Sequence, residues 1–482
     1  MDKMQEVYCW LDLHESQMES DLLSLLRINS VRGTPEPNAP FGKGPADALD
    51  FCFRLAKKQG MHTDNINGYM GIIDLYGKNE KQIGILSHVD VVPAGVEGWR
   101  YPPFNPTISE KMIWGRGVID DKGPLIACQY ALAALKQCNC NLKWSIRHLI
   151  GTNEETGMGC IDYYIKHCDS IPVCGFVPDA IFPVVIGEKG LLRWSCSRRW
   201  EVENSKSNLK LESLIGGSSV NCVPDNATAV FDVTEDGWKQ LEYMKKNLSE
   251  DITNDIFLTQ DGKKAVVTST GTSAHAAFPE KGDNAIIKML CFLNHIDLYP
   301  LGAREFIRCT SDLFVDRING RNLGIYTEDK YGVLTNLLSL INIKLEEGCF
   351  SCDTRYPVTA DGEKLIAKLQ NISNKNCLHF NSWYQMAPLL YSESHPIITN
   401  LLSAYRTVTH DFLNPQVIGT GTYARKLPNF IAFGPIFPGQ ENITHQNNER
   451  ISIEEFHLLS KIYATAIYLL SNEDKLSFES SF

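Results

Sequence analysis

Five short segments concentrate the side chains that could do chemistry. They are SHVDVVPAG with His88 and Asp90, GRGVIDDKGP with Asp120 and Asp121, GTNEETG with Glu154 and Glu155, FVPDAIFPVVIGEKG with Asp179, and THQNNE with His445. Four of them lie just beyond an apolar run, and in open α/β sheets ligands gather at the carboxyl ends of strands. Imidazole and carboxylate together suit Zn2+, Mn2+ or Co2+. Each segment alone reads equally well as a loop cap or a solvated acid, since HxD is a weak motif and a glutamate pair a weaker one. The combination is what points to metal ligands.

Such groups need elements to position them, and from about residue 45 helix-like and strand-like segments alternate. Pro45 opens a helix with Leu49, Cys52, Phe53 and Ala56 on one face, and Gly60 is placed to stop it. QIGILSH is short, apolar and without helical period, which suits a buried strand. A second strand, LKWSIRHLIGTNEE, ends at the two glutamates; Ile161, Tyr164, Ile165 and Cys168 then repeat at helical spacing, in a helix expected to begin at Thr156. The last helix starts at Ser452 with Glu455 three residues on, a capping box. Alternation of this kind implies an α/β catalytic domain with a largely parallel mixed sheet flanked by helices. Over 191–385 the texture changes to segments such as KLESLIGG, ATAVFDVT and KAVVTSTG, which read as antiparallel strands mixed with helices. The expected organisation is a catalytic domain in two parts, 1–190 and 386–482, interrupted by an inserted α+β lid domain of two lobes.

Bulk properties narrow the function classes. A chain of 482 residues exceeds one ordinary core. Its net charge of −11 argues against a nucleic-acid partner, which needs a basic face. The first residues lack the basic start and unbroken apolar stretch of a signal peptide, and no run of eighteen apolar residues suggests a membrane span. The 15 cysteines are therefore expected to be reduced, small buried hydrophobes of a cytoplasmic protein. Cys349 and Cys352 have CxxC spacing, but CFSCDTRYPV reads as a strand that sends them to opposite faces.

The ordered series HVDVVPAG, GRGVIDDKGP, NEETGMG, PDAIFPVVIGEKG, SAHAAFPEKG, GTGTYAR and FGPIFPGQ with HQNNE resembles the cocatalytic metallopeptidases, the family of carnosinases, glutamate carboxypeptidases and PepV-type dipeptidases. The likeness runs from about residue 40 to 460, and DDKGP, GTYAR and FPGQ point to the PepV-type branch. SHVD stands where GHLD is usual and PDAI where PDAD is usual; neither removes a ligand. The resemblance implies two divalent cations, Zn2+ or else Mn2+ or Co2+. Asp120 would bridge them, His88 and Asp179 completing one site and Glu155 and His445 the other. Asp90 would orient His88 by accepting its second ring proton. Glu154 would be the general base that activates a metal-bridging water and passes its proton to the leaving amine.

Within the insert, His275 of SAHAAFP resembles the lid histidine that stabilises the oxyanion, and Asn221 of GGSSVNCVP the amide beside it. Arg355 of CDTRYP would grip the free C-terminal carboxylate of a dipeptide. Its strand would place it on one face with Asp353 and Ser351, where an exposed salt bridge to Asp353 is the plainer role. Gly419, Thr420 and Gly421 could present backbone N–H groups to the same carboxylate. The implied activity is dipeptide hydrolysis by a monomer with His275 supplied in cis. An N-acyl-amino-acid hydrolase of the same fold and a non-catalytic peptide-binding protein are the competing readings.

Overall fold

From Gln82 to His88 the strand Asn79–His88 is buried throughout. Burial on both sides of a strand demands cover on both faces of its sheet, the situation of parallel strands in an α/β layer. The computed structural model describes residues 3–95, 97–202 and 207–473. It places this strand inside a six-stranded sheet ordered His62–Ile66, Met70–Leu75, Trp144–Gly151, Asn79–His88, Cys174–Val177, Phe430–Ala432. The first two pairings are antiparallel and the remaining three parallel, so the sheet is mixed. Register sets His88 opposite Gly151, which brings the ends of two neighbouring parallel strands together.

Helices cover this sheet as their apolar periods require. Lys43–Lys58 buries Leu49, Cys52, Phe53 and Ala56. The chain leaves that helix through Gly60 at φ +77°, a left-handed turn that glycine adopts without steric cost. Lys122–Gln137 is buried from Lys122 to Leu135 and packs against Ile453–Ser471. The latter begins with the expected capping box, the Ser452 hydroxyl and Glu455 carboxylate each satisfying the other's backbone N–H.

The chain forms two units. Met1–Ile186, Tyr391–Val417 and Gly421–Phe482 make the first, and Gly187–Leu390 with Ile418–Thr420 the second. In the second unit eight strands form one antiparallel sheet, ordered Ile256–Asp261, Lys264–Thr270, Asn226–Val233, Leu209–Gly216, Thr335–Ile343, Glu347–Tyr356, Gly190–Arg199, His379–Met386. Strand Asn226–Val233 shows the period-2 pattern that builds it, with Ala227, Ala229, Phe231 and Val233 buried between more exposed neighbours. The sheet consists of two four-stranded halves that meet where only Leu214, Ile215 and Gly216 pair with Ile343, Asn342 and Ile341. Cys349 is partly exposed and Cys352 fully buried on the strand Glu347–Tyr356, consistent with opposite faces.

Candidate active site

The parallel strands of the first unit deliver its acids and histidines to one place. His88 ends its strand, Glu154 and Glu155 follow Gly151, and Asp179 lies two residues past Val177. His88 Nε2 sits 3.0 Å from Asp120 Oδ1 and 3.6 Å from Asp179 Oδ2. His445 Nε2 sits 3.0 Å from Asp120 Oδ2 and 3.0 Å from Glu155 Oε2. Two triads result, His88–Asp120–Asp179 and Asp120–Glu155–His445, and they share Asp120, one oxygen to each.

Proton accounting tests whether these residues suit cations. His88 Nδ1 donates to the backbone carbonyl of Asp90 at 2.9 Å, so in the neutral ring Nε2 carries a lone pair. That lone pair faces carboxylate oxygens, and both His88 Nε2 and Asp120 Oδ1 are buried without a hydrogen-bond partner. Carboxylate and imidazole acceptors turned toward one another in a buried place fit a divalent cation.

Against the opposing effect of burial, the facing carboxylates also raise the proton affinity of both imidazoles, His88 well above its ordinary value and His445 to about 11, so protons and a cation compete for the same nitrogens. Burial pushes the Glu155 carboxyl up to about 7, with Asp120 adding repulsion. Burial likewise raises Glu154 well above the usual carboxylate range, and raises Asp179 and Asp121. Asp120 goes the other way: burial opposes ionisation, but the imidazoles of His445 and His88 hold it far below the ordinary value.

Around the triads the backbone is pinned by side chains. Asp90 does not take the His88 ring proton on its carboxylate, which lies 3.5 Å from Nδ1. That carboxylate instead accepts the N–H groups of Glu154 at 2.9 Å and Glu155 at 3.2 Å, tying the acid pair to the His88 loop. The helix expected at Thr156 starts at Gly159, after a turn that places Met158 at φ +58°. Glu154 is therefore not a helix N-terminal acid. Asp121 accepts the backbone N–H of His88 at 3.1 Å. Lys122, lowered to about 7 by burial, donates to the carbonyls of Leu25 at 3.3 Å and Ile28 at 2.8 Å.

Three residues near the triads lay inside the motifs but were assigned no role from sequence. Tyr423 is fully buried, meets the His88 ring edge-on at 6.2 Å, and its hydroxyl lies 2.7 Å from Cys160 Sγ. A Cβ on Gly151 would stand 2.3 Å from that hydroxyl, so glycine is needed there. Glu449 and Arg116 form a buried ion pair at 2.7 Å beneath the Asp120 segment. Their positions in GRGVIDD and HQNNE were the only signal available.

In the second unit, His275 and Asn221 are brought side by side. Ala276 N donates to Asn221 O at 2.9 Å and Val223 N to Ala274 O at 2.8 Å. His275 Nδ1 accepts from Ala277 N at 3.2 Å, which leaves Nε2 to carry the proton of a neutral ring. Ser219 donates to Asn221 Oδ1 at 2.5 Å and thereby orients the amide. Arg355 is buried, not exposed; Nε bonds Asp353 Oδ1 at 2.5 Å, Nη2 bonds Oδ2 at 3.2 Å, and Nη1 donates to Gly419 O at 2.8 Å. Arg193 Nε also lies 3.3 Å from Asp353 Oδ2, so this cluster carries two guanidiniums against one carboxylate. Thr420 belongs with Gly419 to this unit and Gly421 to the first.

A mixed α/β sheet with two triads built around one shared aspartate offers a pair of adjoining candidate cation sites. The chain belongs to peptidase family M20/M25/M40, which its residues 84–469 match. A protein of Staphylococcus aureus (strain MW2), provisionally named as a dipeptidase, is 34% identical over 471 residues, covering 96% of this chain and 98% of its own. Among solved structures, the dipeptidase Dug1p of Saccharomyces cerevisiae matches with TM-score 0.58 at 14% identity over 98% of this chain and 100% of its own. Human carnosine dipeptidase 1 matches with TM-score 0.56 at 13% identity over the same shares. At such identities these two speak for the fold. Among the described residues no helix is long and apolar enough to cross a membrane.

Proposed function

We propose that this chain is a metal-dependent dipeptidase that hydrolyses the peptide bond of dipeptides bearing a free C-terminal carboxylate. The observation that carries this reading is the pair of triads sharing Asp120. His88 and Asp179 would hold one cation with Asp120, and Glu155 and His445 the other, with Zn2+ favoured by the donor set and Mn2+ or Co2+ compatible with it. Bound there, two divalent cations would polarise the scissile carbonyl and lower the pKa of the attacking water. Glu154 takes the water's proton and returns it to the leaving amine, a role suited to a carboxyl whose burial raises its proton affinity. Asp90 positions Glu154 and Glu155 through their N–H groups. His275 donates from Nε2 to the developing oxyanion, and the Asn221 amide donates beside it. Arg355 pairs with the terminal carboxylate of the dipeptide, aided by backbone N–H groups of Gly419, Thr420 and Gly421.

Hydrolysis of a dipeptide panel, set against N-acetyl amino acids and run with added zinc, manganese or cobalt, tests this reading. Turnover of dipeptides is expected. Turnover confined to N-acetyl amino acids would replace it with a deacylase, and no turnover of either with metal bound would leave a binding protein.

The same reading extends to assembly and compartment. The two four-stranded halves of the second unit belong to a single chain, which supports a monomer with His275 acting in cis. Mixing inactive His275→Ala with inactive Glu154→Ala should restore nothing; recovered activity would show a site shared between chains. None of the 15 cysteines is joined in a disulfide, which suits the reducing cytoplasm.

A further inference from the structure

The two triads hold their histidines by different means. His88 is completely buried, its Nδ1 fixed by the Asp90 carbonyl and its ring edge set against Tyr423. The side chain of His445 is 51% exposed, so packing does not fix it. Its backbone also stands at φ +63°, a left-handed conformation that a non-glycine residue adopts only when its surroundings impose it. Something must hold this backbone in register with Asp120.

Glu449 is placed to do so. It is fully buried, four residues after His445, and both of its carboxylate oxygens face the segment from Arg116 to Asp120. Oε1 accepts the N–H groups of Ile119 at 2.8 Å and Asp120 at 3.3 Å. Oε2 accepts Gly117 N at 3.0 Å and Arg116 Nη1 at 2.7 Å. Arg116 then reaches back through Nη2 to the carbonyl of His445 at 3.3 Å. Backbone pairing reinforces the link, with Gly115 N donating to Glu449 O at 3.1 Å and Arg450 paired with Trp114. One carboxylate thus fixes the backbone of the shared aspartate and, through one guanidinium, the backbone of the exposed histidine. Among the described residues neither group bonds His88 or Asp179, and Glu449 reaches their triad only through the backbone N–H of the shared Asp120.

We propose that Glu449, acting through Arg116, is the positioning residue that holds His445 in register with Asp120 and so sets the affinity of the cation held by Asp120, Glu155 and His445. The inference rests on the two-cation reading and is tested without peptide substrate. Metal-free protein is titrated with Zn2+ by calorimetry, and with Co2+ while its visible absorption is followed. Arg116→Lys replaces the planar fork, whose two nitrogens make the two contacts separately, by one point donor that cannot keep both geometries; it should keep one ion at wild-type affinity and bind the other ~10–100-fold more weakly, the usual effect of removing an outer support of a metal ligand. Glu449→Gln turns an amide NH2 toward existing N–H donors whichever way it sits, so its loss should be at least as large. Arg147→Lys, which disturbs the Arg147–Asp74 pair of the same unit, should leave both affinities unchanged. The inference is overturned if Arg116→Lys binds both ions as the wild type does or weakens both equally. It is also overturned if Arg147→Lys weakens the second ion as much. Fewer than two ions on the wild-type protein would remove the two-cation reading itself, an outcome read before any variant is made.

Discussion

The two units of this chain treat charge in opposite ways. In the first, Asp120, Asp121, Glu154, Glu155 and Asp179 crowd around His88 and His445, and burial drives all of these carboxyls except Asp120 upward. In the second, the buried Asp353 is flanked by Arg355 and Arg193, so its charge is answered and a positive surplus remains. Like charges in a poorly solvated place repel strongly. The acid cluster gains from any cation placed among its oxygens, whereas in the other unit two guanidiniums face one carboxylate. In the proposed reading, metal affinity belongs to one unit and carboxylate recognition to the other.

The harshest way to break this contrast is Asp120→Ala, which removes the one group common to both triads. Activity should fall to background and metal content should drop; full occupancy and full turnover would end the assignment. Glu154→Ala should instead keep both ions while kcat falls by ~10²–10⁴-fold, the ordinary contribution of a general base. Loss of the ions in that variant would mean that Glu154 and Glu155 exchange roles.

Arg355→Ala probes the other unit. A charge-assisted hydrogen bond contributes about 1.5–3 kcal/mol, so KM for free dipeptides should rise roughly 10–100-fold with metal content unchanged. Amidating the dipeptide's C-terminus should cost the wild type a similar factor and the variant little more, since the partner is already gone. Additive losses would assign Arg355 another role.

Chelation sharpens the contrast through stability. Each ion that binds only the folded state at ~100-fold above its Kd stabilises it by about 2.7 kcal/mol, and removing both should lower the thermal midpoint accordingly. A midpoint indifferent to chelator would mean that the acids balance themselves. The smallest effect is expected from Arg193→Met, which neutralises the surplus around Asp353. KM for free dipeptides should rise a few-fold, KM for amidated ones should stay, and both ions should remain; equal effects on the two substrates would deny Arg193 an electrostatic role.

Much of this was legible without coordinates because it is local. The burial of Leu49, Cys52, Phe53 and Ala56 follows from helical spacing, and the Ser452–Glu455 box from a three-residue interval. His88, Glu155 and Asp179 could be placed because each ends or follows an apolar strand, and parallel strands bring their ends together. The start of the helix at Gly159 was not legible, since the Glu154 and Glu155 N–H groups are taken by Asp90, 64 and 65 residues away in sequence.

By itself, then, the sequence determined the types of element and the identity of the acids and histidines, because propensity, periodicity and donor chemistry are properties of neighbouring residues. Only the tertiary structure decided which oxygen of Asp120 faces which imidazole, and that Arg355 is buried against Asp353 and Gly419. It alone decided the partners of Glu449, whose bonds to the Asp120 segment span some 330 residues of chain. Pairings at that separation depend on how the strands and loops stack, and no local period encodes them.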